Sequence, residues 1–502
     1  MSDAMKILVL ANMLFCTIML IPSILYAAED SDTRLRLEQN LLAQQQEQQQ
    51  NFRQQQEQDG LSRLTLNGQI IVVENNVHDV GQALYLAVMQ KHWSAVQYYL
   101  EMYRGLAAHD QSLLQFAQGA LARAEGKLQQ AEIHFVSALE LEPNNVMIQL
   151  EMARLLTELK KNQAAIVLFK QIQQQLNPLE QSVAQNILAS IDMYLNALTQ
   201  RDSWQGNISV GTRYATNINS TSEKSTTWTR YLENVEGQKI PVEQITRSTP
   251  QKINAQALDY EAAVNKRWSL QGQHGLAMKA FSYGRSYAQQ QRFNEMTLAL
   301  NAGYSFQNPK HQVFIAPVFE HRRYHNDSLS NAWGARAEWL NLRSNQQAIK
   351  VEAEVKQIEQ QLFKSQSGLE FSAYATYWKI LNPKWMFFAG LDLLDHNTEE
   401  RYFSAYLQQG LRLGVTQQWG TGFQATVFGS LRWRQYDQFN AVLSQKRADF
   451  EQNYQIVLRA EQWQFYGLTP NLSYQYNRNQ SNVDWLYSYD KHQLSLKLDY
   501  RF

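Results

Sequence analysis

The chain has 502 residues, with 46 Lys and Arg, 46 Asp and Glu and a single cysteine, so its formal net charge is zero. This length exceeds what one hydrophobic core usually covers, and at least two domains are expected. The lone cysteine excludes an intramolecular disulfide, and neither a nucleic-acid partner nor a nucleotide-binding loop is indicated. Residues 29–200 carry 12 basic against 19 acidic side chains, whereas residues 201–502 carry 33 against 26. The two parts are therefore expected to work in different environments.

Residues 1–28 have the pattern of a cleavable signal peptide. Lys6 precedes an apolar run, and the small residues Ala27 and Ala28 come before an acidic, polar stretch. This pattern predicts export rather than a membrane anchor. Cys16 lies inside the apolar run, so the mature chain would have no thiol and no thiolate metal site.

Residues 29–79 are predicted to form a glutamine-rich lead and linker. Gln and Glu dominate the stretch 32–59, and such a composition predicts a polar helix or a disordered arm with no face to bury. We therefore expect a spacer here.

A helical repeat follows this lead. Ala131 and Phe135 recur 34 residues later as Ala165 and Phe169, and a period of about 34 residues is typical of the tetratricopeptide repeat. The small residues allow close helix contacts, and the aromatic ring fills the space between the helices. An unrelated helical bundle is the alternative interpretation.

The repeat domain is predicted to span residues 80–200, with a capping helix over 181–199. Arrays of this kind bind extended polypeptide on a concave surface. Arg123, Glu151 and Arg154 fall at inner-helix positions, which makes them candidate binding residues. Ordinary solvated charges are the alternative.

At Trp204 the hydrophobic period changes from 3.6 to 2. In residues 348–356, for example, Ile, Val, Ala and Val alternate with Lys, Glu, Glu and Lys. A charged inner face suits a water-filled lumen better than a packed soluble core. We therefore predict a transmembrane antiparallel β-barrel over residues 201–502. About fourteen strands are predicted, near 204–215, 254–267, 272–283, 293–306, 311–325, 331–343, 347–359, 367–380, 384–395, 402–419, 421–436, 448–461, 464–478 and 489–502.

Short and long connections alternate between these strands along the chain. Residues 307–310, 381–384 and 419–422 form short connections, whereas the alternate connections are longer and 216–252 is much the longest. An even strand number puts both ends of the barrel on one side. With the repeat domain in the periplasm, the short turns lie there and the long loops outside.

Alternation also assigns five basic side chains to the lumen side of the barrel. If they guide a passing polypeptide, they form a basic wall; the alternative is that they only pair with lumen carboxylates such as Glu461. The five are Arg432, Arg434, Arg459, Lys497 and Arg501.

The last strand places an apolar or aromatic residue at every second position and ends on Phe502. A terminal strand of this kind is how bacterial outer-membrane barrels close and present themselves for insertion. Tyr500 and Phe502 are therefore predicted to act as the assembly signal. An edge strand of a soluble sandwich is the alternative interpretation.

The order of these parts resembles that of the surface lipoprotein assembly modulator (Slam) family. Residues Gly211, Tyr214, Asn217 and Asn219 at the first predicted strand are similar to the stretch that opens that family's barrel. The resemblance implies a translocon that moves client lipoproteins, or related secreted haem- or metal-acquisition proteins, to the cell surface. It implies a client lipoprotein or haemophore, periplasmic chaperones, the barrel assembly machinery and outer-membrane lipid as partners. No cofactor, metal or catalytic residue is expected.

Three other functions stay open. An exopolysaccharide exporter also joins such repeats to a barrel, although its arrays are usually much longer. A diffusion porin has no need of a periplasmic repeat domain. An enzyme is the remaining alternative, but His274, His321, His325 and His492 have no partners at a spacing that suggests catalysis.

Overall fold

The computed structural model describes residues 32–44, 48, 73–176, 182–233, 237–420 and 422–502. Within these ranges the chain forms an array of helices, then a closed barrel of antiparallel strands. A further helix, residues 32–44, lies inside the barrel and is called the lumen helix below. The predicted fold class, a helical repeat array followed by a β-barrel of about fourteen strands, is confirmed.

Seven helices build the array in the part of the chain described here. Asn76, Asp110 and Asn145 precede three of them, and each side chain accepts hydrogen bonds from backbone N–H groups of the first turn. No described helix is long and apolar enough to cross a membrane. The helices are Val77–Met89 (α1), Trp93–Gly105 (α2), Gln111–Ala124 (α3), Leu128–Leu141 (α4), Val146–Glu158 (α5), Asn162–Leu176 (α6) and Ser182–Arg201 (α7).

The repeated small and aromatic residues form the core of the array. Ala131, Phe135, Ala165 and Phe169 are all fully buried. At Gly119 a Cβ atom would lie 2.7 Å from a ring carbon of Phe135, so only glycine lets α3 approach α4 this closely. The 34-residue spacing of these alanines and phenylalanines therefore arises from packing between helices, as in a tetratricopeptide repeat.

Fourteen of the sixteen described strands close into one barrel, in which β1 pairs with both β4 and β16. The strands are Gln205–Ala215 (β1), Ser225–Glu233 (β2), Lys239–Ser248 (β3), Ala255–Ser269 (β4), His274–Tyr287 (β5), Glu295–Gln307 (β6), His311–Tyr324 (β7), Asp327–Ser344 (β8), Gln347–Gln360 (β9), Gly368–Asn382 (β10), Trp385–Thr398 (β11), Tyr406–Trp419 (β12), Phe423–Tyr436 (β13), Ala448–Ala460 (β14), Leu468–Ser481 (β15) and Tyr489–Arg501 (β16).

The alternation within each strand sorts side chains to two faces. On β9, Lys350 and Glu352 are buried in the interior, whereas Val351 and Val355 are each 40% exposed on the outer surface. An outer face of apolar side chains is suited to lipid, and the polar groups are kept inside.

The long connection between β1 and β4 is more ordered than the sequence predicted. It contains a two-stranded hairpin, β2 and β3, which stands apart from the barrel sheet. The hairpin contacts the connection before β16, where Trp228 packs edge-on against Trp485 with ring centroids 5.5 Å apart. The predicted long connection 216–252 is therefore present and contains a hairpin that the sequence pattern did not indicate.

The array sits on the end of the barrel where β4 turns into β5. Gln273 Nε2 in that turn donates to the carbonyl oxygen of Leu159 at 2.8 Å. Asn162 Nδ2 donates to Ser269 Oγ at 3.1 Å, and Gln163 Nε2 donates to the Ser269 carbonyl at 3.2 Å. These bonds place the helical array over one barrel mouth.

The lumen helix is the largest departure from the sequence-based expectation. Leu37 and Leu41 are 1% and 6% exposed and pack against Ala263, Phe281 and Ala299 of the barrel wall. The prediction of a spacer with no face to bury is thus wrong for residues 32–44. The composition hides this because glutamine dominates the stretch, and because the wall partners of the buried charges Asp32 and Glu38 lie hundreds of residues away. Apart from Gln48, the remainder of the stretch 32–59 lies outside the described residues.

Candidate functional site

The inner wall of the barrel carries a dense network of ion pairs on β8 and β9. Arg336 Nε lies 2.8 Å from Glu338 Oε1, and Lys350 Nζ lies 2.7 Å from Glu352 Oε1. Lys279 of β5 reaches Glu338 Oε2 at 2.6 Å. Every one of these charges meets an opposite charge, so the wall here has mixed sign rather than a basic surface.

A second cluster lies near the seam between the first and last strands. Arg213 Nη2 lies 2.6 Å from Asp259 Oδ2, and Lys497 Nζ lies 2.7 Å from both Asp259 and Glu261. Burying an unpaired charge costs free energy, and in both clusters each buried cation lies against a carboxylate that offsets this cost.

The lumen helix supplies charges of its own to this wall. At its start, Asp32 accepts hydrogen bonds from Ser430 Oγ at 3.0 Å and Asn453 Nδ2 at 2.7 Å, and it pairs with Arg432, whose Nη1 lies 2.9 Å away. These three partners belong to β13 and β14.

Further along the helix, Arg36 and Glu38 contact different parts of the wall. Arg34 lies beside Glu38, with its Nη2 3.0 Å from Glu354 Oε2 on β9. Arg36 Nη2 lies 2.6 Å from Glu261 Oε1 on β4. Glu38 pairs with Arg336 Nη2 at 2.7 Å and with Lys350 Nζ at 2.8 Å. Leu42 adds an apolar contact to a cluster that includes Trp378.

The lumen is nearly filled where the helix passes. Two cavities of about 100 Å³ each flank it, one lined by Arg34 and Glu38 and one by Leu41 and Leu42. Such volumes hold several water molecules but not an extended polypeptide. Among the residues that the structure describes, neither of these two cavities offers a passage wide enough for a polypeptide beside the helix.

The five basic residues assigned to the lumen all have carboxylate neighbours. That they guide a client polypeptide through the lumen stays a prediction. The alternative, pairing with carboxylates such as Glu461, is observed for Arg459 and Arg501. The carboxylate contacts of the five residues include Arg432 Nη1 to Asp32 at 2.9 Å, Arg434 to Glu451 at 3.4 Å, Arg459 to Glu461 at 3.7 Å, Lys497 to Glu261 at 2.7 Å and Arg501 to Glu461 at 3.7 Å.

Three carboxylates, of Glu38, Glu338 and Glu352, lie close enough to share a metal ion. Arg336 and Lys350 already contact all three, at distances that include 2.7 Å to Glu38 and 2.7 Å to Glu352. The cluster is therefore held together by protein cations, which neutralise the charge that a metal would otherwise balance.

In the array, the three candidate binding residues contact one another. Glu151 pairs with Arg123 and also accepts from Arg154 Nη1 at 2.7 Å. Arg123 additionally donates to Glu158 Oε1 through Nε at 3.1 Å, and Arg154 donates to Ser190 Oγ at 3.3 Å. Their side chains are 13–20% exposed, so they form a half-buried network between helices with limited access from solvent.

This network sets the ionisation of its carboxylate. Burial alone raises the pKa of Glu151, but the charges of Arg123 and Arg154 outweigh burial and hold that pKa below its usual value. The group is therefore a permanent anion at neutral pH.

The two residues assigned to the assembly signal lie on the outer surface at the barrel seam. The rings of Tyr500 and Phe502 stack with centroids 6.0 Å apart, and the two residues are 43% and 40% exposed. The backbone of Phe502 exchanges two hydrogen bonds with Gly206, at 3.1 and 2.9 Å. The last residue thus closes the barrel, whereas its role as a signal stays a prediction.

Sequence reasoning missed the charged residues of the lumen helix. The signal was present: after Asp32, the charged residues Arg34, Arg36 and Glu38 alternate with leucines just before the glutamine run. A purely polar spacer has no reason to interleave leucines with charges of both signs, and that departure marks a segment with a partner.

Comparisons with known proteins agree with this architecture. The family model described as surface lipoprotein assembly modifier matches residues 204–502, and the model of that family's N-terminal tetratricopeptide repeats matches residues 70–169. The hemophilin secretion modulator of Acinetobacter baumannii is 47% identical over 98% of this chain and 99% of its own length. Surface lipoprotein assembly modifier 1 of Neisseria meningitidis is 23% identical over 88% of this chain and 86% of its own length.

Among solved structures, the outer membrane channel DcaP of Acinetobacter baumannii aligns with 60% of this chain and 96% of its own, at 10% identity and a TM-score of 0.34. This likeness is too low to support an inference about function. The barrel and the family matches locate the protein in the outer membrane, with its helical array on the periplasmic side. Because the barrel model covers more than half of the chain and a 47% identical relative spans nearly all of it, the chain belongs to the surface lipoprotein assembly modifier family.

Proposed function

We propose that this protein is an outer-membrane translocon that moves a client surface lipoprotein, or a secreted haem- or metal-acquisition protein, from the periplasm to the cell surface. The single observation that carries this proposal is the 47% identity, over 98% of the chain, to a hemophilin secretion modulator. Identity at this level over both parts of the chain favours a shared task as well as a shared fold.

The geometry supports transport through the same molecule. The array is hydrogen-bonded to one barrel mouth through Gln273 and Ser269, so a polypeptide held by the helices is delivered next to the lumen. The wall beyond is lined with ion pairs, and such a surface lets a polar chain pass without binding it through large apolar patches.

We place the first client contact on the array, around Arg123, Glu151 and Arg154. The network offers both signs of charge, and its residues keep 13–20% of their side-chain surface exposed. Arg154→Gln is expected to lower capture of the client in a pull-down. Arg104→Gln, which alters an exposed pair with Glu101 at 3.4 Å, is the matched control.

Periplasmic chaperones and the barrel assembly machinery complete the proposed partners. The chaperones keep the client unfolded until the array receives it, and the assembly machinery inserts the barrel. In this proposal the protein acts by binding and guiding its client and carries out no chemical reaction.

The test is export of a client in a Gram-negative host that has no relative of this protein. The client is a surface lipoprotein or a secreted haemophore, expressed with and without the translocon. Antibody labelling of intact cells, or assay of the medium for a secreted client, should give signal only when both are present. A client that reaches the surface equally well without this protein, or a surface polysaccharide that depends on it, would overturn the proposal.

A further inference from the structure

The lumen helix contacts the barrel wall at three well-separated positions around the ring of strands. Asp32 is held by β13 and β14, Arg36 by β4, and Glu38 by β8 and β9. In the closed order of fourteen strands these groups lie roughly a third of the circumference apart. The helix therefore occupies the cross-section of the lumen and does not merely lie along one side.

The helix runs from the middle of the lumen to the mouth beneath the array. Arg432, the partner of Asp32, lies in the interior of β13. At the other end, Gln44 Nε2 donates to the carbonyl oxygen of Phe502 at 3.2 Å, and Gln205 Nε2 donates to Gln48 Oε1 at 2.9 Å. Both Gln205 and Phe502 stand at the periplasmic end, so the segment enters the barrel from the periplasm.

The wall keeps most of its ion pairs when the helix is taken away. Without Glu38, Arg336 retains Glu338 at 2.8 Å and Lys350 retains Glu352 at 2.7 Å. Loss of Arg36 leaves Glu261 paired with Lys497 at 2.7 Å. Few buried charges are therefore stranded by departure of the helix, which removes the main cost of displacing it.

The apolar contacts of the helix are modest by comparison. Leu37 and Leu41 pack against one small wall cluster, and Leu42 packs against another. Leu35 is buried at 7% exposure without joining either cluster. A segment held mainly by ion pairs in a polar lumen can exchange those pairs for water or for another charged chain. A permanent core element is expected to bury a continuous apolar face instead.

The chain between the helix and the array is long enough to let the helix leave. Residues 45–72 separate the lumen helix from the first described residue of the array. A stretch of this length can reach about 90 Å when fully extended, so the displaced helix stays attached to the protein.

We propose that the lumen helix, residues 32–44, is a resident plug bound at a site in the lumen wall, and that export requires its displacement. The site takes a helical segment with an acidic residue at its inner end, arginines in the middle, a glutamate one turn later and leucines between them. The second part of this inference rests on the proposed function, because a passing client must take the place of the plug.

A reversible lock on the plug tests both parts. Asp32 and Ser430 lie in contact, with Oδ2 and Oγ 3.0 Å apart, so Asp32→Cys with Ser430→Cys places two thiols on facing positions. A disulfide between them, verified by the loss of free thiol on oxidation, ties the helix to β13. The matched control is Thr416→Cys with Thr426→Cys, which face each other on β12 and β13 with Oγ atoms 3.0 Å apart and join wall to wall. Both double variants are checked for insertion by heat-modifiable migration.

The first readout is client export under oxidising and reducing conditions. The locked variant should export at least about tenfold less when oxidised and recover on reduction, as expected when one state of a two-state element is fixed. The wall-to-wall control should export equally in both conditions. Equal export by the oxidised and reduced plug variant would show that the helix is a permanent part of the barrel and would overturn the proposal.

The second readout needs no client: ion conductance of the full-length protein in planar bilayers. Deletion of residues 32–44 should raise the conductance about tenfold or more above the unmodified protein, whereas the oxidised lock should keep it at the unmodified level. Conductance that is unchanged by the deletion would overturn the plug. Absence of client export by the unmodified protein, with conductance behaving as stated, would instead count against the proposed function alone.

Discussion

At the scale of single residues, the C-terminal Phe502 combines closure of the barrel with exposure to lipid. Its backbone exchanges hydrogen bonds with Gly206, while its ring lies outside and stacks on Tyr500. The backbone contribution survives any side-chain substitution. The two contributions of this residue can therefore be separated by mutation.

Phe502→Asp is expected to reduce insertion of the barrel by more than the free-energy cost of moving the aspartate charge from water to the membrane interface would explain. A charge near the membrane interface costs about 1 kcal/mol or less, which lowers the inserted fraction only severalfold. A larger loss, measured as heat-modifiable protein in outer-membrane fractions, would indicate recognition of the terminal residue during assembly. Tyr466→Asp, at a turn residue that is 98% exposed, is the control. Normal insertion of the Phe502 variant would contradict the assembly-signal prediction.

The carboxylate of Glu151 gives the array a defined pH dependence. Its pKa in the folded array lies below the ordinary value of 4.5. Its stabilising contribution is therefore complete above pH 4.5 and is lost as the pH falls through the lower, folded value. Acidification should loosen α3 and α5, which the Arg123 pair joins.

Glu151→Gln should weaken the array by about 1–3 kcal/mol at neutral pH, because Arg123 and Arg154 lose their shared anionic acceptor. The measurement is hydrogen exchange of α3 and α5 in the full-length protein, corrected for intrinsic rates at each pH. The variant should lose less protection than the unmodified chain when the pH is lowered below 4.5. Glu101→Gln, at an exposed ion pair, is the control, and an equal pH response in all three proteins would contradict the assignment.

At the scale of secondary-structure elements, the lumen helix and strand β13 form a contact that can be tested by exchanging charges. Asp32 and Arg432 are buried together, with side chains 5% and 1% exposed. Arg432 also lies 3.5 Å from Asp392, so the wall offers it a second partner when the helix leaves.

Asp32→Arg should raise the conductance of the barrel because it sets two cations against each other, and Arg432→Asp should do the same with two anions. Combining the changes should return the conductance toward the unmodified level, with a coupling free energy of about 1–3 kcal/mol. Arg459→Gln, which alters a cation within 3.9 Å of Asp499 on the wall, is the control. Additive effects of the two charge reversals would argue that the pair does not hold the plug.

At the scale of the whole molecule, the barrel and the array differ in how much they contribute to holding the barrel together. Every strand of the barrel is paired on both sides, so its backbone hydrogen bonds are complete without the helices. The array adds a few hydrogen bonds at one mouth, through Leu159, Asn162 and Gln163.

Deletion of residues 29–200 should leave an inserted barrel and abolish display of the client. The same deletion removes the lumen helix, so the barrel should also conduct ions. Heat-modifiable migration, surface labelling of a co-expressed client and bilayer conductance measure the three effects. Undiminished display would contradict the role given to the array, and a barrel that fails to insert would contradict its independence.

The sequence by itself determined the elements that follow from local periodicity. The spacing of Ala131 and Phe135 against Ala165 and Phe169 predicted the helical repeat, since one helix pair buries its small and aromatic residues against the next. Alternation of apolar and charged residues predicted the fourteen barrel strands and the face on which Lys350 and Glu352 lie, because a strand turns successive side chains to opposite sides.

Only the tertiary structure decided which charges meet. Asp32 and Arg432 are 400 residues apart and Glu38 and Arg336 are 298 apart, and no local pattern relates such positions. The sequence therefore predicts a spacer where the lumen helix lies, and a long loop where β2 and β3 form their hairpin. The hydrophobic period predicts which face of its own strand or helix a side chain lies on. The partner of a buried charge instead depends on which distant segment lies inside the closed barrel.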